Sequence, residues 1–149
     1  MNAIEIQSLK KTYDTGEKAL KGIDLTIPKG SFFGLLGPNG AGKTTTIGIL
    51  TGLVKKSSGS ARIMNYDVVK EYKNARRSIG LSPQEINLDV FFTIRQILNF
   101  QAGYYGMPSK IASKRVDAIL KKLDIYDKRN NTARHLSGGM KRRVQIAKA

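Results

Sequence analysis

The sequence predicts an α/β architecture, and three features carry that prediction. A short, wholly apolar run, Phe32-Phe33-Gly34-Leu35-Leu36, leads into a glycine-rich turn over residues 37–42 and then into a helical pattern over residues 43–51. Strand-like alternation precedes this unit, and helical periodicity dominates from about residue 86. An apolar run that enters a helix through a glycine turn suits a strand buried on both faces, with helices laid against the sheet.

The elements follow in order. Ile4 and Ile6 alternate with Glu5 and Gln7, the period-2 pattern of a half-buried strand. A turn at Asp14-Thr15-Gly16 separates it from a second alternating run, with Ile23, Leu25 and Ile27, that stops at Pro28-Lys29-Gly30. In the helix over 43–51, Ile47 and Leu50 are expected to face inward, with Gly52 as the C-terminal cap. Arg62-Ile63-Met64 and Ser78-Ile79-Gly80-Leu81 read as further strands. Residues 92–105 read as a helix ending near Gly106 and Pro108, and Ser109 as the N-cap of the next. There Ala112, Val116, Ile119, Leu120 and Leu123 fall on one face. A last helix is expected after Ser137-Gly138-Gly139. The chain thus divides into a strand-rich part, residues 1–85, and a helical part, residues 86–149.

Composition narrows the class. At 149 residues the chain suits one domain, on a prior of ~100–200 residues each. It has no cysteine, which excludes a disulfide framework and a thiolate metal site. The first residues lack the basic-then-apolar pattern of a secretory signal. No apolar stretch approaches the ~18 residues of a membrane span. The formal net charge is +15, and residues 110–149 hold twelve basic residues against three acidic ones. Such a balance points to an anionic partner: nucleic acid, a lipid surface or a nucleotide.

Gly37-Pro38-Asn39-Gly40-Ala41-Gly42-Lys43-Thr44 fits G-x-x-x-x-G-K-[ST], the phosphate-binding P-loop. The chemistry calls for these residue types. Gly37, Gly40 and Gly42 let the backbone curl until its N–H groups face an anion. The helix that follows, through Thr45, adds the positive end of its dipole. Lys43 supplies a point charge for the β- and γ-phosphates, and Thr44 a hydroxyl for Mg²⁺.

Further motifs extend the reading. Leu136-Ser137-Gly138-Gly139-Met140 resembles the signature of ATP-binding-cassette (ABC) ATPases, and Gly80-Leu81-Ser82-Pro83-Gln84 resembles their Q-loop. Tyr13 stands where that family places an aromatic on adenine. The resemblance covers essentially the whole chain and is nearest to ATP-binding subunits of bacterial exporters. It implies the P-loop NTPase fold of the ABC type, with an N-terminal antiparallel β region and a helical subdomain. It also implies ATP and Mg²⁺ as ligands, catalytic roles for Lys43 and Gln84, metal contacts from Thr44 and Gln84, and stacking by Tyr13. Ser137, Gly138 and Gly139 would act in trans, gripping ATP held by a second copy in a head-to-tail homodimer. A transmembrane permease would be the partner, holding the protein at the inner face of the cell membrane on the cytoplasmic side.

Asn65 stands where glycine is common in the family. His135, the only histidine, does not match the family's catalytic histidine. Lys141-Arg142-Arg143 reads as a solvated helix face rather than a nucleic-acid contact. No apolar strand ending in Asp-Glu is present, so the resemblance implies the N-terminal part of a longer subunit, without its last sheet strands and not competent for hydrolysis alone. Two other functions are compatible with the sequence: a soluble ABC-type ATPase acting on nucleic acid or ribosomes, and a nucleotide-binding module that does not hydrolyse.

Overall fold

The early alternation folds into a long hairpin. In a computed structural model that describes residues 1–149, β1 (Asn2–Thr12) pairs antiparallel with β2 (Lys18–Pro28). Its turn is closed by the Tyr13 amide donating to the Glu17 carbonyl at 2.9 Å, with Gly16 at φ +85°. The other edge of β1 pairs antiparallel with β3 (Ser58–Ile63), which turns into β4 (Tyr66–Asp67), giving the order β2-β1-β3-β4. The same unit, Met1–Gly80, contains α1 (Lys43–Thr51) and the short α2 (Tyr72–Arg77).

A bulge sets which side chains reach this core. Strict alternation from Ile6 would turn Leu9 outward, yet both are buried. Ser8 lies at φ +45°, its amide donates to Asp24 Oδ1 at 2.8 Å, and the register slips between Ile6 and Leu9. Gly59 faces the bulge at φ +81°, and a Cβ there would lie 2.3 Å from the Ser8 carbonyl oxygen. The hairpin between β3 and β4 turns through Met64 at φ +48° and Asn65 at φ +70°, with Ile63 opposite Tyr66. That is the paired left-handed geometry of a two-residue turn. The position thus suits glycine, and asparagine tolerates it. Ile49 and Leu50 of α1 join Ile6, Leu9, Leu20, Ala61 and Ile63 in the core.

Three local expectations fail in the first unit. Residues 32–36 form no strand, and Phe32 and Leu36 are almost wholly exposed. Residues 78–81 are also irregular. A strand exists only through backbone bonds to a neighbour, and neither segment lies in the ladder of the one sheet. Ile47 is exposed; Ile49 is the inward residue beside Leu50. Gly52 does cap the helix, at φ +76°.

The second unit, Leu81–Ala149, is helical: α3 (Ile94–Tyr104), α4 (Ser109–Lys122) and α5 (Gly138–Lys148), with 3-10 turns at Tyr126–Lys128 and Ala133–His135. α3 starts two residues later than its pattern suggests because Thr93 and Gln96 form a reciprocal capping box. Pro108, not Ser109, precedes the first turn of α4. The α4 stripe is as expected: Ala112, Val116 and Leu120 are buried, and Ile119 and Leu123 lean on the same cluster as Ile94, Leu98, Ile125, Leu136 and Val144. Arg95 of α3 pairs with Asp117 of α4, a bond that raises the Arg95 pKa.

Leu120 is fully buried at the centre of this cluster, so Leu120→Ala is expected to destabilise the chain by about 2–5 kcal/mol in urea unfolding followed by circular dichroism. A pH effect is expected at Asp67. Burial opposes its charge, but the amides of Lys70 and Val69 and the charges of Lys56 and Lys70 outweigh burial and hold its pKa below the ordinary value. A carboxylate depressed in the folded state stabilises above its unfolded pKa and loses that contribution as pH falls through the folded value. The stability difference between the parent and Asp67→Asn should therefore shrink on acidification from about pH 5 to about pH 3.

Candidate phosphate-binding site

The start of α1 is built as an anion seat. Gly40 and Gly42 lie at φ +81° and +83°, in the left-handed region. Gly42 has no room for a side chain: a Cβ would come 2.4 Å from Leu20 Cδ2 and 2.7 Å from the Ala19 carbonyl oxygen. β2 therefore backs the end of the loop directly. The first helical bonds come from Thr46, whose amide and hydroxyl both donate to the Gly42 carbonyl at 2.8 and 2.9 Å. The amides of Lys43, Thr44 and Thr45 precede that bond and have no partner within the helix. They project at the positive end of the helix, where an anion is favoured.

Lys43 adds a full charge. Its Nζ donates to the carbonyls of Gly37 and Pro38 at 2.6 and 2.7 Å, which holds the ammonium over the loop. The Ala41 amide donates to the Pro38 carbonyl at 3.2 Å, tightening the turn around Asn39. Residues 37–41 are exposed, and so is the Thr44 side chain. Tyr13 comes to the same place from the β1–β2 turn. Its hydroxyl lies 3.3 Å from Thr45 Oγ1, and Lys11 Nζ sits 4.7 Å from its ring centroid. The fold of the first unit thus gathers Tyr13, the loop residues 37–42, Lys43, Thr44 and Thr45. The glycine cradle and the unbonded amides fit a phosphate chain, and the Thr44 hydroxyl is a hard oxygen donor of the kind Mg²⁺ takes.

The remaining predicted residues belong to the second unit. Gln84 is exposed in an irregular segment, its carbonyl accepting from Arg142 Nη1 at 3.3 Å. Ser137 caps α5, its hydroxyl accepting from the Met140 amide at 3.3 Å. Gly138 and Gly139 form the exposed first turn, with nothing within 4 Å of where a Cβ would stand. His135 is exposed and its Nδ1 lies 3.0 Å from Thr132 Oγ1.

The basic run on α5 departs from expectation. Arg143 Nη1 donates to the Leu123 and Asp124 carbonyls at 3.3 and 3.0 Å, and Arg142 donates to the Pro83 and Gln84 carbonyls. These guanidinium groups satisfy carbonyls that helix ends and loops leave open, so the run is not merely a solvated face. Gln145, a polar residue with no motif around it, is buried, and its Nε2 donates to the Glu85 and Pro83 carbonyls at 2.6 and 3.3 Å. No local signal in the sequence marks it, since its neighbours three and four residues away on α5 are Lys141, Arg142 and Lys148.

Comparison with known proteins follows the same lines. The profile described as ABC transporter matches residues 20–149. The linearmycin resistance ATP-binding protein LnrL of Bacillus subtilis is 40% identical over 147 residues, covering 98% of this chain and 47% of that protein. The Nod factor export ATP-binding protein I of Cupriavidus pinatubonensis is 37% identical over 98% of this chain and 45% of its own length. The chain therefore spans about half the length of the curated relatives it matches. Among solved structures, cbiO1 from Clostridium perfringens, described as part of the ABC transporter complex cbiONQ, aligns with a TM-score of 0.87 at 32% identity, over 99% of this chain and 60% of that one.

The packing at Gly42 yields a sharp expectation. Gly42→Ala should distort the loop against Leu20 and Ala19 and abolish saturable binding of a nucleoside triphosphate. Gly40→Ala has open space around it and carries only the backbone strain of about 1–2 kcal/mol, so its binding should fall less. Calorimetric titration of the two variants side by side checks the order.

Proposed function

The chain belongs to the ABC transporter family, and from that premise we propose that it binds Mg-ATP as the nucleotide-binding part of a subunit that powers an ABC exporter. The observation that carries this is the start of α1, where a glycine-rich turn, three unbonded amides and Lys43 converge. The amides of the loop and of Lys43, Thr44 and Thr45 would hold the phosphates. Lys43 would exchange its loop carbonyls for phosphate oxygens. Tyr13, held beside Thr45, would stack on adenine. Thr44 and Gln84 would coordinate Mg²⁺, which when bound supplies charge neutralisation between phosphates.

Phosphoryl transfer depends on positioning and charge stabilisation more than on covalent participation by the protein. In that scheme Lys43 stabilises charge on the transferred group, and Gln84 orients the attacking water. Ser137, Gly138 and Gly139 present another helix N-terminus with exposed amides. In a head-to-tail homodimer it would meet the phosphates bound by the partner copy. A transmembrane permease would receive the resulting motion and hold the subunit at the inner membrane face; no helix of this chain is long and apolar enough to cross a membrane. The export role draws on the relatives, whose names describe ATP-binding proteins of Nod factor export and linearmycin resistance.

Action on nucleic acid is less well supported. Arg142 and Arg143 are engaged with backbone carbonyls, Arg95 with Asp117, and Arg129 with both the Tyr126 carbonyl and the Tyr126 ring. The surplus charge thus serves internal contacts in part.

Calorimetric titration with Mg-ATP tests the proposal. Saturable binding is expected, and Lys43→Ala should weaken it at least about tenfold, or about 1.4 kcal/mol. Equal affinity in parent and variant would remove Lys43 from the site and overturn the reading.

A further inference from the structure

We propose that Arg142 and Gln145 latch residues 83–85 to α5, so that the segment carrying Gln84 and the helix end carrying Ser137–Gly139 move as one body. The inference rests on the reading of those two segments as nucleotide-responsive parts of an ATPase.

The segment from Leu81 to Phe92 has no regular structure of its own. Its carbonyls need partners from elsewhere, and three consecutive ones find them on a single helix. Arg142 Nη1 donates to Pro83 and, at 3.3 Å, to Gln84. Gln145 Nε2 donates to Pro83 at 3.3 Å and to Glu85 at 2.6 Å. The two side chains stand three residues apart, on one face of α5. They reach back about sixty residues in sequence, so this is a tertiary tie and not a local turn.

Gln145 shows what the arrangement is for. It is 4% exposed, and its Oε1 is buried without a partner. A buried orphan acceptor is costly, and an apolar residue of similar size would avoid that cost. The benefit that offsets it lies in Nε2 and the carbonyls it holds. Turning the amide over would face its oxygen toward two carbonyl oxygens, so the donor assignment follows from the surroundings. Arg142 brings a charged donor, which makes a stronger bond to a carbonyl than a neutral one. On the same helix Arg143 holds the Leu123 and Asp124 carbonyls just past α4. α5 is therefore anchored to α4 by one arginine and carries the 83–85 segment by its neighbour. A displacement of Gln84 is passed to Ser137 through a rigid helix rather than through a flexible link. Arg142 and Gln145 are positioning residues that act through Gln84 and the helix end.

The chain has no cysteine, so one introduced cysteine takes a label uniquely. A nitroxide at exposed Asn87→Cys reports the motion of the segment by its spectral line shape. The parent should show the slow, broad form. Arg142→Met with Gln145→Leu should shift it toward the mobile form, Arg142→Lys should hold the broad form, and Arg143→Met should leave it unchanged. Helix content by circular dichroism is read on each sample. Should the double variant lose its helices, Gln145→Glu alone decides, since it keeps the volume and replaces the donor with an acceptor. An unchanged line shape in a folded double variant, or in folded Gln145→Glu, overturns the latch. Titration of the same samples with Mg-ATP is read separately. Failure of the labelled parent to bind would refute the nucleotide reading, whereas an unmoved label with intact binding would refute only the latch.

Discussion

The close approach of β2 to the start of α1 is the constraint on which the candidate site depends. At Gly42 the loop backbone runs against Leu20 and the Ala19 carbonyl with no space for a methyl group. That contact fixes where the helix begins, and hence where the unbonded amides of residues 43–45 point. Everything else at the site is arranged around this end. Thr46 doubles its bonds to the Gly42 carbonyl, Lys43 folds over the turn, and Tyr13 leans on Thr45 from the β1–β2 turn. The antiparallel sheet thus serves as the surface that holds a helix terminus in register as well as supplying part of the core.

The sheet reaches that role through two irregularities that oppose simple alternation. The bulge at Ser8 turns Leu9 inward, and Gly59 makes room for it on β3. Without the slip, Leu9 would face solvent and the core beneath α1 would lose a fully buried leucine. Backbone strain at one residue is thereby exchanged for apolar burial across the sheet.

In the second unit the organising element is α5. Val144 enters the apolar cluster, Ser137 caps the helix, and three polar side chains of one stretch bind carbonyls of two other segments. Cationic and amide donors on a helix are useful here because irregular chain and helix ends leave acceptors, and arginine can serve two at once. The basic surplus of this region follows partly from that need.

Much of the candidate site could be read in the sequence because it rests on local chemistry. Glycines at fixed spacing, a lysine and a hydroxyl before a helical pattern specify a turn and a helix end whatever surrounds them. Apolar stripes are equally local: α1 spans the expected residues and the α4 stripe is buried as its pattern predicts, while α4 is capped by Pro108 rather than Ser109 and α5 starts at Gly138 rather than after Gly139. The sequence could not decide partnership. Residues 32–36 have the composition of a buried strand, but a strand needs a neighbour to bond, and in this fold they lie outside the ladder and exposed. Ile47 and Ile49 are indistinguishable by type, and only the direction from which the sheet packs selects Ile49. Arg142 and Gln145 look like surface residues until the fold brings Pro83, Gln84 and Glu85 beside them. What the chain encodes within a few residues was legible, whereas contacts between residues sixty positions apart were set by the tertiary structure, because such contacts depend on where whole elements come to rest.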